Sequence, residues 1–278
     1  MKNKYLIGLF GAVLLCCGQN LSAAGTNQAM VADVTNLVAN INAKLEAGKT
    51  QEADFADNFK KFDALLAKYK DATPVDQAHI LLLEAELYSD VLDEPEKALE
   101  IYKQIKRKFP TVQIEGNTDE AISGLEGLVA QWKIWDALAV GTKFPDFTTN
   151  GVDSNALSLT AYKGKVVLID FWATWCPPCQ RELPNLLKVY QAHHGQGFDI
   201  IGVSLDSDRN KLVSFLKEKG MTWPQAFDGQ GWGGTLVTQY GVHRLPSTFL
   251  LDGQGMIIGK NLQGDELERG VARALARK

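Results

Sequence analysis

An apolar run of eight residues, KVVLIDFW (165–172), is followed almost at once by the motif WCPPC (175–179). The run is rich in β-branched and aromatic residues and lacks polar alternation, which indicates a strand buried on both faces of a sheet. Pro177 suits the first position of a helix, where its missing N–H would have no partner anyway. The stretch therefore predicts a buried strand that passes into a helix, with Cys176 at the junction.

The sequence downstream of this junction alternates helices with strands. The predicted elements are a helix from about Pro177 to His194, a buried strand in FDIIGVSLD, a helix from Arg209 to Gly220, an antiparallel hairpin around Asp252–Gly253 and a closing helix from Asp265 to Lys278. A first hairpin, with turn residues Asn150–Gly151, precedes them. This order is that of the thioredoxin plan, an α/β sandwich.

The N-terminal half has a different pattern. From residue 27 to about 139, apolar residues recur at spacings of three and four, which is typical of amphipathic helices. Pro74 and Pro95 stand where helices are expected to start, and the basic run 106–108 is typical of a helix end. We therefore predict an all-α helical domain ahead of the thioredoxin-like one.

The architecture of this helical domain stays open between two interpretations. The stretch AELYSDVLDEPEKALEIYKQIKRKFP resembles a tetratricopeptide repeat, but at most two such units are present and stacked repeats need three or more to be stable alone. The other interpretation, which we favour, is a small helical bundle whose apolar stripes form its core. The predicted limits are 25–140 for the helical domain and 141–278 for the thioredoxin-like domain. The helical domain is expected to bind a protein partner or to dimerise.

The N-terminal 24 residues have the pattern of a signal peptide. Two lysines precede an apolar run that is short for a membrane span, and Ser22-Ala23-Ala24 supplies the small residues of a cleavage site. We therefore expect export to the periplasm and cleavage after Ala24. A lipoprotein anchored through Cys16 or Cys17 is the alternative, although Leu15 and Cys16 are not the small residues preferred before an acylated cysteine.

A Cys-x-x-Cys pair has three physical interpretations: half of a zinc site, a structural disulfide or a redox dithiol. Zinc requires two further ligands, and the adjacent His193 and His194 point about 100° apart on a helix and cannot both reach one ion. A secreted disulfide scaffold would carry several spaced pairs, whereas the chain has four cysteines, two of them in the signal region. The redox dithiol is favoured, with no metal and no cofactor.

The residues around the pair fit this chemistry. A helix N-terminus offers free N–H groups and a favourable dipole to a thiolate, which places Cys176 well for reactivity. Pro177 and Pro178 stiffen the turn that holds the two sulfurs together, and Trp175 is expected to form an apolar lid beside an exposed sulfur.

The stretch LIDFWATWCPPCQRELP resembles the active site of the membrane-anchored or periplasmic thiol-disulfide oxidoreductases of the TlpA/ResA/CcmG group, in the thioredoxin superfamily. The resemblance covers roughly residues 142 to 275. It implies that Cys176 is the attacking thiol and Cys179 the resolving one.

Three more residues match the group. Glu182 matches an acid that the group keeps three residues after the second cysteine, and it shares a helical face with Cys179, whose proton it could accept. Asp170 matches the buried acid of thioredoxin itself, where this group more often has asparagine; burial should raise its pKa. Pro246 matches a cis proline that faces the disulfide, which would leave the backbone at Leu245 free to pair with a substrate chain.

The sequence thus predicts an exported thiol-disulfide oxidoreductase. The resemblance implies a reductase recharged by a membrane thiol-disulfide electron donor, with substrate proteins that carry disulfides, apocytochrome c among them. A formal net charge of −4 provides no basic surface for nucleic acid. The alternatives are a peroxiredoxin-like peroxidase, for which Ala173 stands where a serine or threonine is needed, and a partner-docking protein in which the redox domain is secondary.

Overall fold

The computed structural model describes residues 28–112 and 118–277. They form two compact units that divide between Val129 and Ala130. The second unit begins inside a helix, before the predicted domain limit at residue 140. That limit stays a prediction. The predicted signal peptide, residues 1–24, lies outside the described residues.

The first unit is helical, as predicted. Its helices are α1 (Gln28–Glu46), α2 (Ala56–Lys68), α3 (Pro74–Glu86) and α4 (Pro95–Lys108). A fifth helix, α5 (Thr118–Ala137), belongs to this unit up to Val129. Pro74 and Pro95 begin α3 and α4, and Thr73 caps α3 by accepting a hydrogen bond from the Asp76 N–H at 3.2 Å. The helix starts predicted from the two prolines are confirmed.

Apolar stripes on these helices build the core of the first unit. In α1 the buried positions include Val34, Leu37, Val38 and Ile41, the three-and-four spacing seen in the sequence. They pack with Phe55 and Phe62, neither of which is exposed at all. Among the described residues no helix is both long and apolar enough to cross a membrane.

The second unit has the thioredoxin plan. Its strands are β1 (Thr148–Asn150), β2 (Ala156–Ser158), β3 (Val166–Trp172), β4 (Phe198–Ser204), β5 (Gln225–Phe227), β6 (Ser247–Leu251) and β7 (Ile257–Lys260). The main sheet has the order β5-β4-β3-β6-β7, with β3 parallel to β4 and antiparallel to β6. Every residue of β3 and β4 is buried, which confirms the strands predicted from the two predominantly apolar runs.

Helices follow the strands close to their predicted positions. They are α6 (Pro177–His193), α7 (Arg209–Lys219), the short α8 (Thr235–Gln239) and α9 (Gly264–Leu275). The helices α6 and α9 are neighbours, joined by an ion pair of Lys188 with Glu268 at 2.9 Å. This ion pair joins the second half of α6 to the first half of α9.

The first hairpin differs from its prediction in the turn. Asn150 is the last residue of β1 and pairs with Ala156, so that the connection is the five-residue segment 151–155 and not a tight Asn150–Gly151 turn. Asp153 stabilises the longer loop by accepting hydrogen bonds from the backbone and side chain of Asn155. These local side-chain contacts compete with the two-residue turn that the Asn-Gly pair favours.

Candidate active site

Cys176 and Cys179 are joined in a disulfide at the start of α6, with an S–S distance of 2.02 Å and Cα atoms 5.3 Å apart. Cys176 is the N-cap residue of the helix, and its sulfur accepts a hydrogen bond from the Cys179 N–H at 3.2 Å. When the bond is reduced, the same N–H and the helix dipole stabilise negative charge on the sulfur of Cys176. The position at the start of α6 therefore favours the thiolate form of Cys176.

The two sulfurs are less accessible than the sequence suggests. Cys176 is 3% exposed and Cys179 is 6% exposed, so the expectation of an exposed sulfur is wrong for the disulfide form. The sulfur of Cys176 is turned back onto the helix, where it meets Cys179. Its neighbours along the chain, Trp175, Pro177 and Pro178, are exposed, Trp175 to 52%. These three exposed apolar residues, the apolar rim, therefore flank a nearly covered disulfide.

Asp206 fixes the loop that leads into the disulfide. Its carboxylate accepts hydrogen bonds from the Thr174 N–H at 3.0 Å, from the Thr174 hydroxyl and from the Ser204 hydroxyl at 2.8 Å. Gln180 also holds this loop, because its side-chain amide donates to the Thr174 carbonyl. Sequence reasoning missed Asp206. The available signal was its place just after β4, because parallel neighbours β3 and β4 end at the same edge of the sheet.

Asp170 lies in the middle sheet strand and is 2% exposed. Burial, and to a smaller extent the nearby charge of Glu182, raises the pKa of its carboxyl group to about 7. Asp170 is thus a buried acid that can change its protonation state near neutral pH. The raised pKa predicted from the apolar strand is confirmed in direction.

Glu182 has two firm partners. Its Oε1 accepts hydrogen bonds from the Gly264 N–H at 2.8 Å and from the Asn185 side-chain amide at 2.7 Å. Gly264 is the first residue of α9, so the carboxylate also stabilises a helix N-terminus. Sequence reasoning placed Glu182 on the face of Cys179 but did not find its link to α9, which comes from residues about eighty positions away.

A small cavity brings the predicted residues together. It measures about 10 Å³, and Asp170, Cys179, Glu182 and Pro246 all line it. The Leu245–Pro246 peptide bond is cis, as predicted. Thr248, which pairs with Asp170 across β3 and β6, lines the same cavity. Leu245 is half-buried against the core beside it.

These features define the class of protein: a thioredoxin-fold protein with a disulfide at the N-terminus of a helix, a cis proline beside it and two carboxyl groups behind the second cysteine. Such an arrangement exchanges a dithiol for a disulfide. It holds the two sulfurs within bonding distance and provides groups that can take up a proton.

Comparisons with known proteins identify the family. The Redoxin family matches residues 139–275. The thiol-disulfide oxidoreductase ResA of Geobacillus thermodenitrificans is 36% identical over 121 residues, which are 44% of this chain and 68% of the relative. ResA of Geobacillus kaustophilus is 34% identical over 136 residues, 48% of this chain and 76% of the relative. The solved thioredoxin domain of a thiol-disulfide oxidoreductase from Bacteroides vulgatus shares 34% identity over 49% of this chain and 96% of that domain, with a TM-score of 0.45.

The chain therefore belongs to the ResA family of thiol-disulfide oxidoreductases. The matched residues lie in its C-terminal half, where the disulfide is. The resemblance, the fold class and the enzyme class stated from the sequence are confirmed.

Proposed function

We propose that this oxidoreductase is an exported reductase, in which the thiolate of Cys176 attacks a disulfide of a substrate protein. The attack breaks the substrate S–S bond, forms a mixed disulfide with Cys176 and releases one substrate thiol. Cys179 then attacks the sulfur of Cys176, closes the 176–179 disulfide and releases the second thiol. Two electrons and two protons pass to the substrate, and a reductant must reopen the disulfide before the next cycle.

One observation carries this proposal: an ionisable carboxyl group in the same cavity as Cys179. The resolving thiol must lose its proton before it attacks, and Asp170, with a pKa of about 7, can accept that proton near neutral pH. Glu182 lines the same cavity, and we assign it the transfer of that proton onward from the cavity. Both acids thus serve the resolution step and not the first attack.

The substrate-facing surface consists of residues around the disulfide. Trp175, Pro177 and Pro178 offer the apolar rim, and the backbone at Leu245 pairs with an extended substrate segment next to Pro246. As the resemblance to the TlpA/ResA/CcmG group implies, the substrates are proteins with disulfides, and apocytochrome c before haem attachment is one candidate. The reductant is a membrane thiol-disulfide electron donor. The role of the helical domain, as partner-binding or dimerising unit, stays a prediction.

The direction of electron flow is tested by the reduction potential of the 176–179 couple. We expect a potential closer to that of thioredoxin, about −270 mV, than to that of strong periplasmic oxidants, about −120 mV. Equilibration with glutathione or dithiothreitol redox buffers, followed by alkylation of free thiols and mass measurement, gives the value. A potential near the oxidant end would reverse the assignment from reductase to oxidase.

Export is tested by the N-terminus of the protein made in a bacterial host. The composition of residues 1–24 supports cleavage after Ala24, so the periplasmic fraction should contain a chain beginning at Gly25. Intact-mass measurement of the purified protein checks this. A mass that includes diacylglycerol on Cys16 or Cys17 would establish the lipoprotein instead, and a full-length cytoplasmic chain would refute export.

A further inference from the structure

The last turns of α5 contact the loop that carries the cis proline, and no functional assignment covers this contact. The loop, residues 241–246, leads directly into β6. The contacting part of α5, residues 131–135, precedes the family match, which begins at residue 139. We define these two segments as the loop 241–246 and the buttress 131–135. Both lie in the second compact unit.

The backbones of the two segments touch at Gly241. A Cβ atom on this residue would lie 2.1 Å from the Gln131 carbonyl oxygen and 2.7 Å from the Trp135 nitrogen. Gly241 also has a φ of +63°, which favours glycine. The close approach of the two backbones therefore requires glycine at this position, and it fixes the distance between the loop and the helix.

Two tryptophans hold the ring of His243. The Trp132 ring stacks on it with centroids 4.5 Å apart, and the Trp135 ring meets it edge-on at 5.8 Å. The Nδ1 atom of His243 is 3.0 Å from the Gly241 carbonyl oxygen, which closes the loop on itself. The imidazole is thus fixed three residues before the cis proline.

The buttress is itself anchored to the central sheet. Trp135 is 5% exposed and its ring lies 4.5 Å from that of Phe249 in β6. Lys260 in β7 donates a hydrogen bond to the Trp135 carbonyl at 2.7 Å and lies over its ring at 4.2 Å. At the other end of the loop, the Ser247 hydroxyl donates to the Arg244 carbonyl at 2.8 Å. The loop is therefore fixed at both ends relative to β6.

We propose that Trp132, through His243, is a positioning residue for polypeptide substrates: it holds the backbone of residues 244–246 in the orientation that pairs with an extended substrate segment. The inference rests on the proposed role of Leu245 in substrate binding. It predicts that loss of the Trp132 ring affects substrates that have a polypeptide backbone and spares small disulfides, which react with Cys176 without pairing to the loop. Trp132 acts through His243, on which its ring stacks, and we assign it no catalytic role.

The test compares two substrates on the full chain with Trp132→Ala. For insulin, KM is expected to rise about tenfold with kcat little changed, because misplacing a binding group weakens productive alignment. For hydroxyethyl disulfide, the rate should stay within about twofold of the wild type. Trp132→Phe, which keeps a ring over His243, should restore most of the insulin KM. Trp232→Ala removes an exposed tryptophan from another loop of the same unit and serves as the matched control.

The outcomes separate this inference from the function on which it rests. Unchanged insulin kinetics in Trp132→Ala would overturn the positioning role alone. Equal losses on insulin and hydroxyethyl disulfide would also overturn it, because the defect would then lie in the site as a whole. A wild-type protein that reduces hydroxyethyl disulfide but not insulin would refute the proposed polypeptide substrate, and this inference with it.

Discussion

Replacing Cys176 with serine is expected to abolish disulfide reduction, with turnover falling by at least about 10³-fold to the level of the uncatalysed exchange. Cys176 is the N-cap of α6, and its sulfur accepts the Cys179 N–H at 3.2 Å. Cys179 lies inside the first turn and supplies the N–H of this hydrogen bond. A hydroxyl at position 176 can accept the same hydrogen bond but does not ionise near neutral pH. Insulin reduction with dithiothreitol, followed by turbidity, measures the loss.

The partner variant distinguishes the two cysteines. Cys179→Ser keeps the attacking thiol and removes the resolving one, so the protein should react once and accumulate as a mixed disulfide with its substrate. Non-reducing electrophoresis and intact mass would detect that adduct, which Cys176→Ser should not form. If Cys176→Ser formed the adduct and Cys179→Ser did not, the roles assigned to the two cysteines would be interchanged.

The strand-to-helix junction could be predicted from the sequence because its causes are local. A predominantly apolar run is sufficient to indicate β3, and a proline after Cys176 is sufficient to indicate the start of α6. Burial of Asp170 follows from the same run. The position of Glu182 relative to Cys179 follows from helix geometry alone, since residues three apart share a face.

The contacts that the sequence did not reveal are between residues distant along the chain. Asp206 reaches back to Thr174 across thirty-two positions, and Glu182 bonds Gly264 across eighty-two. The stacking of Trp132 on His243 is also a contact between residues that are distant along the chain. Trp132 falls inside the helical pattern that runs to about residue 139, but only the fold places it beside the loop 241–246. Local spacing thus locates the reactive groups, while tertiary contacts orient them.

Asp170→Asn is expected to make the oxidised protein more stable at pH 8 while lowering its turnover. The Asp170 carboxyl has a pKa of about 7 in the folded protein and its ordinary value of 3.8 in the unfolded chain. Burial is the larger cause of the difference. Below pH 3.8 the carboxyl is protonated in both the folded and the unfolded protein, so it does not lower the free energy of unfolding. Between pH 3.8 and about 7 the folded state binds the extra proton, so the free energy of unfolding falls as pH rises. Above pH 7 the ionised carboxyl lowers the free energy of unfolding by its full amount, on the order of 4 kcal/mol.

The measurement is the free energy of unfolding as a function of pH, with the disulfide intact. Amide hydrogen exchange of β3 gives the free energy of unfolding of the redox domain separately from that of the helical domain. Wild type and Asp170→Asn should agree near pH 4 and diverge steadily up to about pH 7, with the variant more stable. Parallel profiles would show that Asp170 does not titrate in this range.

Turnover should change in the opposite direction, which a merely structural role would not produce. Loss of the proton acceptor behind Cys179 should slow insulin reduction at pH 7 by about 10²-fold, the usual size of a general-base effect. Asp199→Asn is the matched control. Asp199 is also buried, but it pairs with Val167 near the start of β3 and bonds Lys165 at 3.0 Å, at the opposite end of the strand from the disulfide. A loss in Asp199→Asn equal to that in Asp170→Asn would refute the assignment.

Glu182→Gln tests how the two acids are coupled. The variant keeps a carbonyl oxygen to accept the Gly264 N–H and removes the negative charge that raises the pKa of Asp170. The pKa of Asp170 should therefore fall, yet stay above 3.8 because burial is the larger cause. The pH range over which stability declines should narrow from its upper end in the exchange measurement. An unchanged upper limit would mean that the charge of Glu182 is not felt at Asp170, and the two carboxyl groups would then act independently of each other.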